Sequence, residues 1–217
     1  MIDVDSVAVK EVGGVRVLYV MATLAEYLDE LRQRFQPLIC QVGPAEAALH
    51  VAGYLAVDNT VDLVVSLGSA GSARLEQAQV YQVSSVAYRD MDASPFGFAK
   101  GVTPFSNLPP VINLGMAVSG LDQASISTGA DIVSGVAYNS IDQDMVDMES
   151  WAVMRACHVF GVPMIGLRGI SDGAHPVAEY GDWSRYLAVI DQRLAVAVDN
   201  VEAALISGTL SPTLPNL

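Results

Sequence analysis

Two carboxylates stand at the ends of neighbouring apolar segments in the stretch from Asp144 to Ala174. Glu149 opens a run with apolar residues at helical spacing, which stops at Gly161. Asp172 follows a short apolar run of strand length that begins at Met164. A helix and a strand of these lengths carry the chain out and back over comparable distances, so we expect both carboxylates at one edge of a sheet. Such a pair could perform acid chemistry on a polar small molecule.

Asp172 and Glu149 each admit a second interpretation at this stage. Desolvation keeps a half-buried carboxyl protonated, so Asp172 could donate a proton. Alternatively, Asp172 accepts backbone hydrogen bonds in the turn that ends its strand. Glu149 is otherwise a first-turn glutamate that interacts favourably with the helix dipole. Spacing alone leaves these alternatives open.

Two further segments place polar or small residues after predicted strands. Thr23 and Glu26 follow the strand Val15 to Val20 with the spacing of a helix capping box, and for Glu26 alone this capping role is the simpler explanation. Gly68 to Gly71 form a small-residue loop after the apolar strand Val61 to Leu67. Backbone N–H groups in such a loop can approach a ligand closely, although many similar loops bind nothing.

The elements around these groups alternate between strands and helices. We expect a hairpin at Gly13 and Gly14, a helix from Thr23 to about Phe35, and an irregular loop from Asp90 to Pro110. A long helix from Trp183 to about Ile206 closes the chain. This pattern predicts an α/β fold, a three-layer sandwich with a mixed, mainly parallel central sheet covered by helices, in one domain spanning residues 1–217. Ligands bind such sheets at the carboxyl ends of the strands.

The composition excludes several classes of protein. With 52% apolar and 16% charged residues, the 217-residue chain can bury a large core and is no candidate for disorder. The net charge of −13 argues against nucleic acid, which needs clustered Lys and Arg. No apolar segment reaches spanning length, and residues 1–12 lack the basic and apolar regions of a secretory signal. We therefore expect no membrane association and a cytoplasmic location. Cys40 and Cys157 fit buried reduced thiols.

The histidines do not favour a different chemistry. His50 and His158 lie in predicted helices without a second ligand at metal-like spacing, and His175 stands alone, so we expect no metal and no other cofactor. A serine hydrolase would need Ser69 together with His175 and an aspartate. The chain has no Gly-x-Ser-x-Gly elbow around such a serine, which argues against this class.

Four segments taken together resemble one family. They are VVSLGSAG around Ser69, the segment Ala87 to Phe98, DMES around Glu149, and GVPMIGLRGISD ending at Asp172. From Val15 to Ile206 the chain is similar to the nucleoside phosphorylase/nucleosidase superfamily, and within it to the 5′-methylthioadenosine/S-adenosylhomocysteine nucleosidases. The resemblance implies a nucleoside phosphorylase-like fold and a homodimeric hydrolase of methionine salvage that cleaves the N-glycosidic bond of adenine nucleosides and releases adenine.

The resemblance also implies roles for individual residues. Asp172 would donate a proton toward N7 of adenine, Ser171 would orient it, and Glu26 would activate water. Glu149 would bind the ribose hydroxyls, and Phe96 would form part of the 5′-alkylthio pocket of the partner subunit. The substrate-binding residues implied in this way are Ser69, Ala70, Gly71, Ile132, Val133, Met148, Glu149, Ser171 and Phe96.

The resemblance also bears on the nucleophile and on the wall of the purine pocket. Phosphorylases of the superfamily carry arginines at positions that correspond here to Glu26 and Ser66, so the resemblance implies water as the nucleophile, because Glu26 would repel phosphate. A purine nucleoside or methylthioadenosine phosphorylase, or a non-catalytic nucleoside-binding protein, stays an alternative. Ile132 replaces the aromatic residue that usually stacks on adenine in the nucleosidases, and the connection from Gly135 to Asp147 is shorter than in that family. Both departures bear on purine affinity and substrate range.

Overall fold

The computed structural model describes residues 7–173 and 175–215 of the chain. Nine strands lie within these ranges: β1 (Lys10–Val12), β2 (Val15–Met21), β3 (Leu38–Ile39), β4 (Leu63–Gly71), β5 (Val80–Tyr88), β6 (Val111–Asn113), β7 (Gln123–Thr128), β8 (Met145–Asp147) and β9 (Met164–Asp172). The α-helices are α1 (Asp29–Arg32), α2 (Pro44–Val57), α3 (Ser150–Phe160), α4 (Tyr180–Ser184) and α5 (Leu187–Ile206). None of the helices in these ranges is long and apolar enough to cross a bilayer.

All of these strands belong to one mixed sheet. The pairs β2–β3, β2–β4, β4–β9, β5–β7 and β7–β8 are parallel, and the pairs β1–β2, β4–β8, β5–β6 and β5–β9 are antiparallel. Because β4, β9, β5, β7 and β8 pair in a closed ring, the sheet curls into a barrel, which the strand pattern alone did not predict. The predicted α/β fold with a mixed sheet covered by helices is confirmed.

Helices cover the sheet on two sides. Helices α2 and α3 pack together over one apolar cluster, to which they contribute Val51, Leu55 and Val153. Helix α5 covers the other cluster with Leu194 and Val198. The described residues thus share one continuous sheet, while the single domain over residues 1–217 stays a prediction because it includes residues outside the described ranges.

The central helix and strand form as their sequence predicts. Helix α3 has Glu149 as its N-cap, one position before the first turn, and ends at Gly161, whose φ of 68° suits the left-handed cap that glycine favours. Strand β9 is buried from Met164 to Ser171, and Asp172 is its last, half-buried residue. The two carboxylates therefore reach the same end of the sheet, as expected.

Two local predictions near this end are wrong. The stretch Gly68 to Gly71 is not a loop but the last part of β4, because β9 continues to pair with it up to Asp172. The predicted helix from Thr23 to Phe35 is interrupted: a 3₁₀ turn covers Leu24–Glu26, and α1 follows as a separate short helix. The buried Asp191 carboxylate of α5 accepts hydrogen bonds from three N–H groups at the start of α1, which fixes this second start.

The closing helix also differs from its prediction. It is split into α4 and α5, with Arg185 and Tyr186 between them. Helix α4 has its own capping box, in which the side chains of Glu179 and Asp182 each accept from the other's backbone N–H. The break leaves Trp183 on the short α4, where its side chain turns toward the end of β4.

Candidate active site

A cavity of about 390 Å³ opens at the carboxyl ends of β2, β4 and β9. Parallel strands of an α/β sheet place their ligand sites at this end. The structure brings to this one cavity every residue of the predicted site except Phe96. These residues are Glu26, Ser69, Ala70, Gly71, Ile132, Val133, Met148, Glu149, Ser171 and Asp172.

Asp172 has the environment of a proton donor. Burial raises the pKa of its carboxyl, and the hydrogen bond from Ser171 opposes that rise only in part. The Ser171 hydroxyl donates to Oδ1 of Asp172 over 2.6 Å, so one carboxyl oxygen is held in place. Ser171 is itself fully buried at the end of β9. The carboxyl is thus oriented and biased toward its neutral form.

Glu26 is held by Ser69 at the end of β4. Its Oε1 accepts from the Ser69 backbone N–H over 2.8 Å and from the Ser69 hydroxyl. The Trp183 indole N–H donates to that same hydroxyl oxygen over 2.9 Å. Because the indole can only donate, the Ser69 hydrogen points at Glu26. Burial raises the pKa of Glu26, and the two bonds from Ser69 oppose this. The Glu26 carboxylate is therefore held in one orientation, and its side chain does not complete the predicted capping box with Thr23.

Glu149 projects into the cavity from the start of α3. Its Oε1 accepts a hydrogen bond of 2.8 Å from the backbone N–H of Gly43. Burial, with added repulsion from Asp147, raises the pKa of Glu149 to about 7. The carboxylate is therefore fixed in orientation and costly to ionise unless a polar ligand replaces its lost hydration.

A buried ion pair lies beneath the two glutamates. Arg168 is 2% exposed, and its Nε donates to Oδ2 of Asp147 over 3.1 Å. The two terminal nitrogens of its guanidinium group donate to the backbone carbonyl and the hydroxyl of Ser66 and to the hydroxyl of Ser150. The positive charge of Arg168 opposes the rise that burial causes in the pKa of Glu26 and of Glu149. Arg168 was not among the predicted site residues, although a lone arginine inside an apolar strand signals a buried carboxylate partner.

Strand β4 relates the position of the Asp172 carboxyl to that of the Glu26 carboxylate. Ser69 and Gly71 lie two residues apart at the end of β4, and both line the cavity. Glu26 is bonded to Ser69, and Asp172 lies against Gly71. A small molecule in the cavity can thus meet a proton donor at one part and a proton acceptor at another. Such an arrangement suits the cleavage of a bond between a leaving base and a sugar.

Other cavity residues were absent from the sequence-based set. Arg89, Trp183 and Tyr180 line the walls, and Arg89 is anchored by Asp131 and by backbone carbonyls. Nothing in their spacing predicted this position, because each depends on where a loop or a short helix turns. In the described ranges, no three His, Cys, Asp or Glu side chains are grouped so that they could hold a metal ion.

Ile132 and Phe96 have contrasting positions. Ile132 lines the cavity and is 70% exposed, whereas its neighbour Val133 is buried. Phe96 lies at the end of a 3₁₀ turn, is 85% exposed, and does not line the cavity of its own chain. Its predicted role in the pocket of a partner subunit stays a prediction.

Comparison with known proteins gives consistent neighbours. The family model described as "Phosphorylase superfamily" matches residues 5–205. The 5′-methylthioadenosine/S-adenosylhomocysteine nucleosidase of Staphylococcus aureus (strain MRSA252) is 31% identical, over 54% of this chain and 60% of that protein. The chain thus matches about three fifths of the length of this relative.

Solved structures agree on the fold. The nucleosidase of that same type from Colwellia psychrerythraea 34H, in complex with adenine, has a TM-score of 0.71 at 21% identity and covers 91% of this chain and 97% of its own. The corresponding enzyme of Helicobacter pylori has a TM-score of 0.70 at 19% identity and covers 84% and 97%. At these identities the likeness shows the fold.

Proposed function

The chain belongs to the Phosphorylase superfamily, and from that premise we propose that its cavity hydrolyses the N-glycosidic bond of adenine nucleosides. 5′-Methylthioadenosine and S-adenosylhomocysteine are the expected substrates, and adenine is the released base. One observation carries the proposal: Asp172, Glu26 and Glu149 converge on a single cavity. The curated relatives of this chain that carry the nucleosidase name support the choice of substrate.

The proposed reaction uses each carboxyl group once. Asp172 donates its proton to N7 of the adenine, and the electron pair of the breaking C1′–N9 bond stays with the base. The ribosyl group develops oxocarbenium character, which nearby carboxylates stabilise. Glu149 accepts hydrogen bonds from the ribose hydroxyls. Glu26 takes a proton from the water that attacks C1′, so the products are adenine and the free sugar.

The charges around the cavity favour water over phosphate as nucleophile. Phosphate would have to approach the Glu26 carboxylate, which repels it. Arg168 is already engaged by Asp147 and buried beneath the cavity. Arg89 is the one basic side chain among the described residues of the cavity wall, and Asp131 pairs with it. A phosphorylase would need an unengaged cation at this place.

The proposal extends to assembly, cellular role and location. The exposed Phe96 would complete the 5′ pocket of a second copy in a homodimer, and its 85% exposure in a single chain supports this. Cys40 and Cys157 are buried and unbonded, which supports a cytoplasmic location. In that setting the reaction would serve methionine salvage.

The test is a product assay on the purified chain. Methylthioadenosine, adenosylhomocysteine and adenosine are each supplied with and without phosphate, and adenine and the sugar product are quantified. We expect adenine and free sugar at rates that phosphate does not change. Faster formation of the sugar 1-phosphate would establish the phosphorylase alternative. Nucleoside binding without any base release would establish the non-catalytic alternative.

A further inference from the structure

Tyr138 has a buried hydroxyl group that takes no part in the reaction proposed above. The residue is 8% exposed and lies in the 3₁₀ segment Gly135–Ser140, packed with Val133, Val146 and Ile141. Its hydroxyl oxygen is screened from solvent and has no well-aligned hydrogen-bond partner among the described residues. It nevertheless lies close enough to the Asp172 carboxyl to lower the pKa of that group, against the effect of burial. A buried hydroxyl without a well-aligned partner is unusual in a folded protein and calls for an explanation.

The hydroxyl lies beside the carboxyl of Asp172. A Cβ atom added to Gly71 would overlap the Tyr138 hydroxyl and would come within 2.9 Å of Oδ2 of Asp172. The two oxygens thus share the space that the missing side chain of Gly71 leaves open. Ser171 already occupies Oδ1. Oδ2 is therefore the oxygen left to face both the cavity and Tyr138.

We propose that Tyr138 is a positioning residue for the Asp172 acid, donating a hydrogen bond to Oδ2 as the carboxyl gives its proton to the leaving base. A carboxyl oxygen has two lone-pair directions, so Oδ2 can face the base with one and Tyr138 with the other. Tyr138 keeps its own proton throughout, and the proton moves only from Asp172 to the base. This inference rests on the proposed function.

The hydrogen bond from Tyr138 stabilises the ionised form of the Asp172 carboxyl more than the neutral form. Before transfer the carboxyl is neutral, and an imperfectly aligned hydroxyl beside it loses little. After transfer the carboxylate is buried, where a charge-assisted hydrogen bond is strongest. Burial and the neighbouring carboxylate raise the pKa of Tyr138 far above its ordinary range, so the phenol stays a donor. Catalytic hydrogen bonds often align only when substrate is bound.

The first test does not depend on turnover. The carboxyl carbon of Asp172 is titrated by ¹³C NMR in the wild type and in Tyr138→Phe, and Asp172→Asn assigns the signal. Removing a donor to the carboxylate should raise the pKa of Asp172 by about one unit. An unchanged or lower pKa would overturn the proposal whether or not the chain is a nucleosidase. The control is Tyr54→Phe, which removes a hydroxyl from an equally buried tyrosine of α2, outside the cavity.

The second test separates help to the acid from general support of the cavity. Tyr138→Phe should lower kcat/KM for methylthioadenosine about tenfold. In the dependence of kcat/KM on pH, the fall on the alkaline side should move to higher pH. A nitrophenyl riboside has a leaving group that needs no proton, so Tyr138→Phe should cleave it at the same rate as the wild type. Equal losses on both substrates would assign Tyr138 a merely structural role. A wild type that cleaves neither substrate contradicts the proposed function, and the titration then decides about Tyr138 alone.

Discussion

Ser69 donates to Glu26 twice, from its backbone N–H and from its hydroxyl, and both bonds end on the same carboxyl oxygen. The backbone bond depends only on the position of β4, whereas the hydroxyl bond depends on its rotamer. Trp183 removes that freedom because it donates to the hydroxyl oxygen from the other side. The orientation of the base is therefore determined by a strand and by the short helix α4.

Glu26→Gln should abolish water activation without disturbing the cavity. The amide keeps an oxygen for Ser69 but cannot accept the proton of water. We expect kcat to fall by about 10²- to 10⁴-fold while adenine binding stays within a few-fold of the wild type. Steady-state kinetics and calorimetry measure the two quantities. Glu46→Gln, on the exposed part of α2, is the matched control. A kcat close to that of the wild type would remove Glu26 from the mechanism.

Trp183→Phe should weaken catalysis through the Ser69 hydroxyl. The variant keeps an aromatic wall but loses the donor that holds the hydroxyl. A single neutral hydrogen bond contributes about 0.5–1.5 kcal/mol, so kcat/KM should fall by roughly three- to tenfold. In a Ser69→Ala background the same change should have little further effect, because the shared bond is already gone. Additive losses in this double-mutant cycle would mean that Trp183 acts independently of Ser69.

Glu149→Gln should stabilise the protein most at higher pH. Folding raises the pKa of Glu149 from its ordinary 4.5 to about 7, so wild-type stability declines as pH rises between these values. Gln does not ionise and escapes this loss. The advantage of the variant should grow by roughly 1–3 kcal/mol between pH 5 and pH 8. Urea unfolding at the two pH values measures it, and an equal difference at both would contradict the raised pKa.

Arg168→Met should destabilise the fold strongly. It leaves the buried carboxyl group of Asp147 without its cationic partner, which typically costs about 3–5 kcal/mol. The comparison is Arg34→Met, which breaks an ion pair with the half-exposed Asp199 and should cost no more than about 1 kcal/mol. Denaturant midpoints measure both variants. The double variant with Asp147→Asn and Arg168→Met should regain part of the lost stability. Equal costs at the two arginines would show that the buried pair has no special role.

Much of the site follows from local sequence patterns. Helix α3 and strand β9 were recognisable from apolar spacing and from Gly161, and this was enough to bring Glu149 and Asp172 to one sheet edge. Helix α2 likewise begins at Pro44, a residue type that suits the first turn of a helix. These elements depend on periodicity and capping, which are properties of short segments.

The parts that depend on distant contacts were not predictable. Gly68 to Gly71 looked like a loop because small residues end many strands, yet pairing with β9 extends β4 through them. Glu26 looked like a capping residue because its partner Ser69 is 43 positions away. Trp183 reaches the cavity because a short helix turns there, and Tyr138 reaches the space beside Gly71 and Asp172 because a 3₁₀ segment turns there. Local propensity contains no information about these tertiary contacts.

The central claim is that Asp172 supplies the proton to the leaving base, and Asp172→Asn tests it most directly. Adenine release from methylthioadenosine is measured beside the dissociation constant for adenine in the wild type and the variant. We predict that release falls by at least about 10²-fold while adenine affinity changes by only a few-fold. A variant that releases adenine at the wild-type rate would contradict the account.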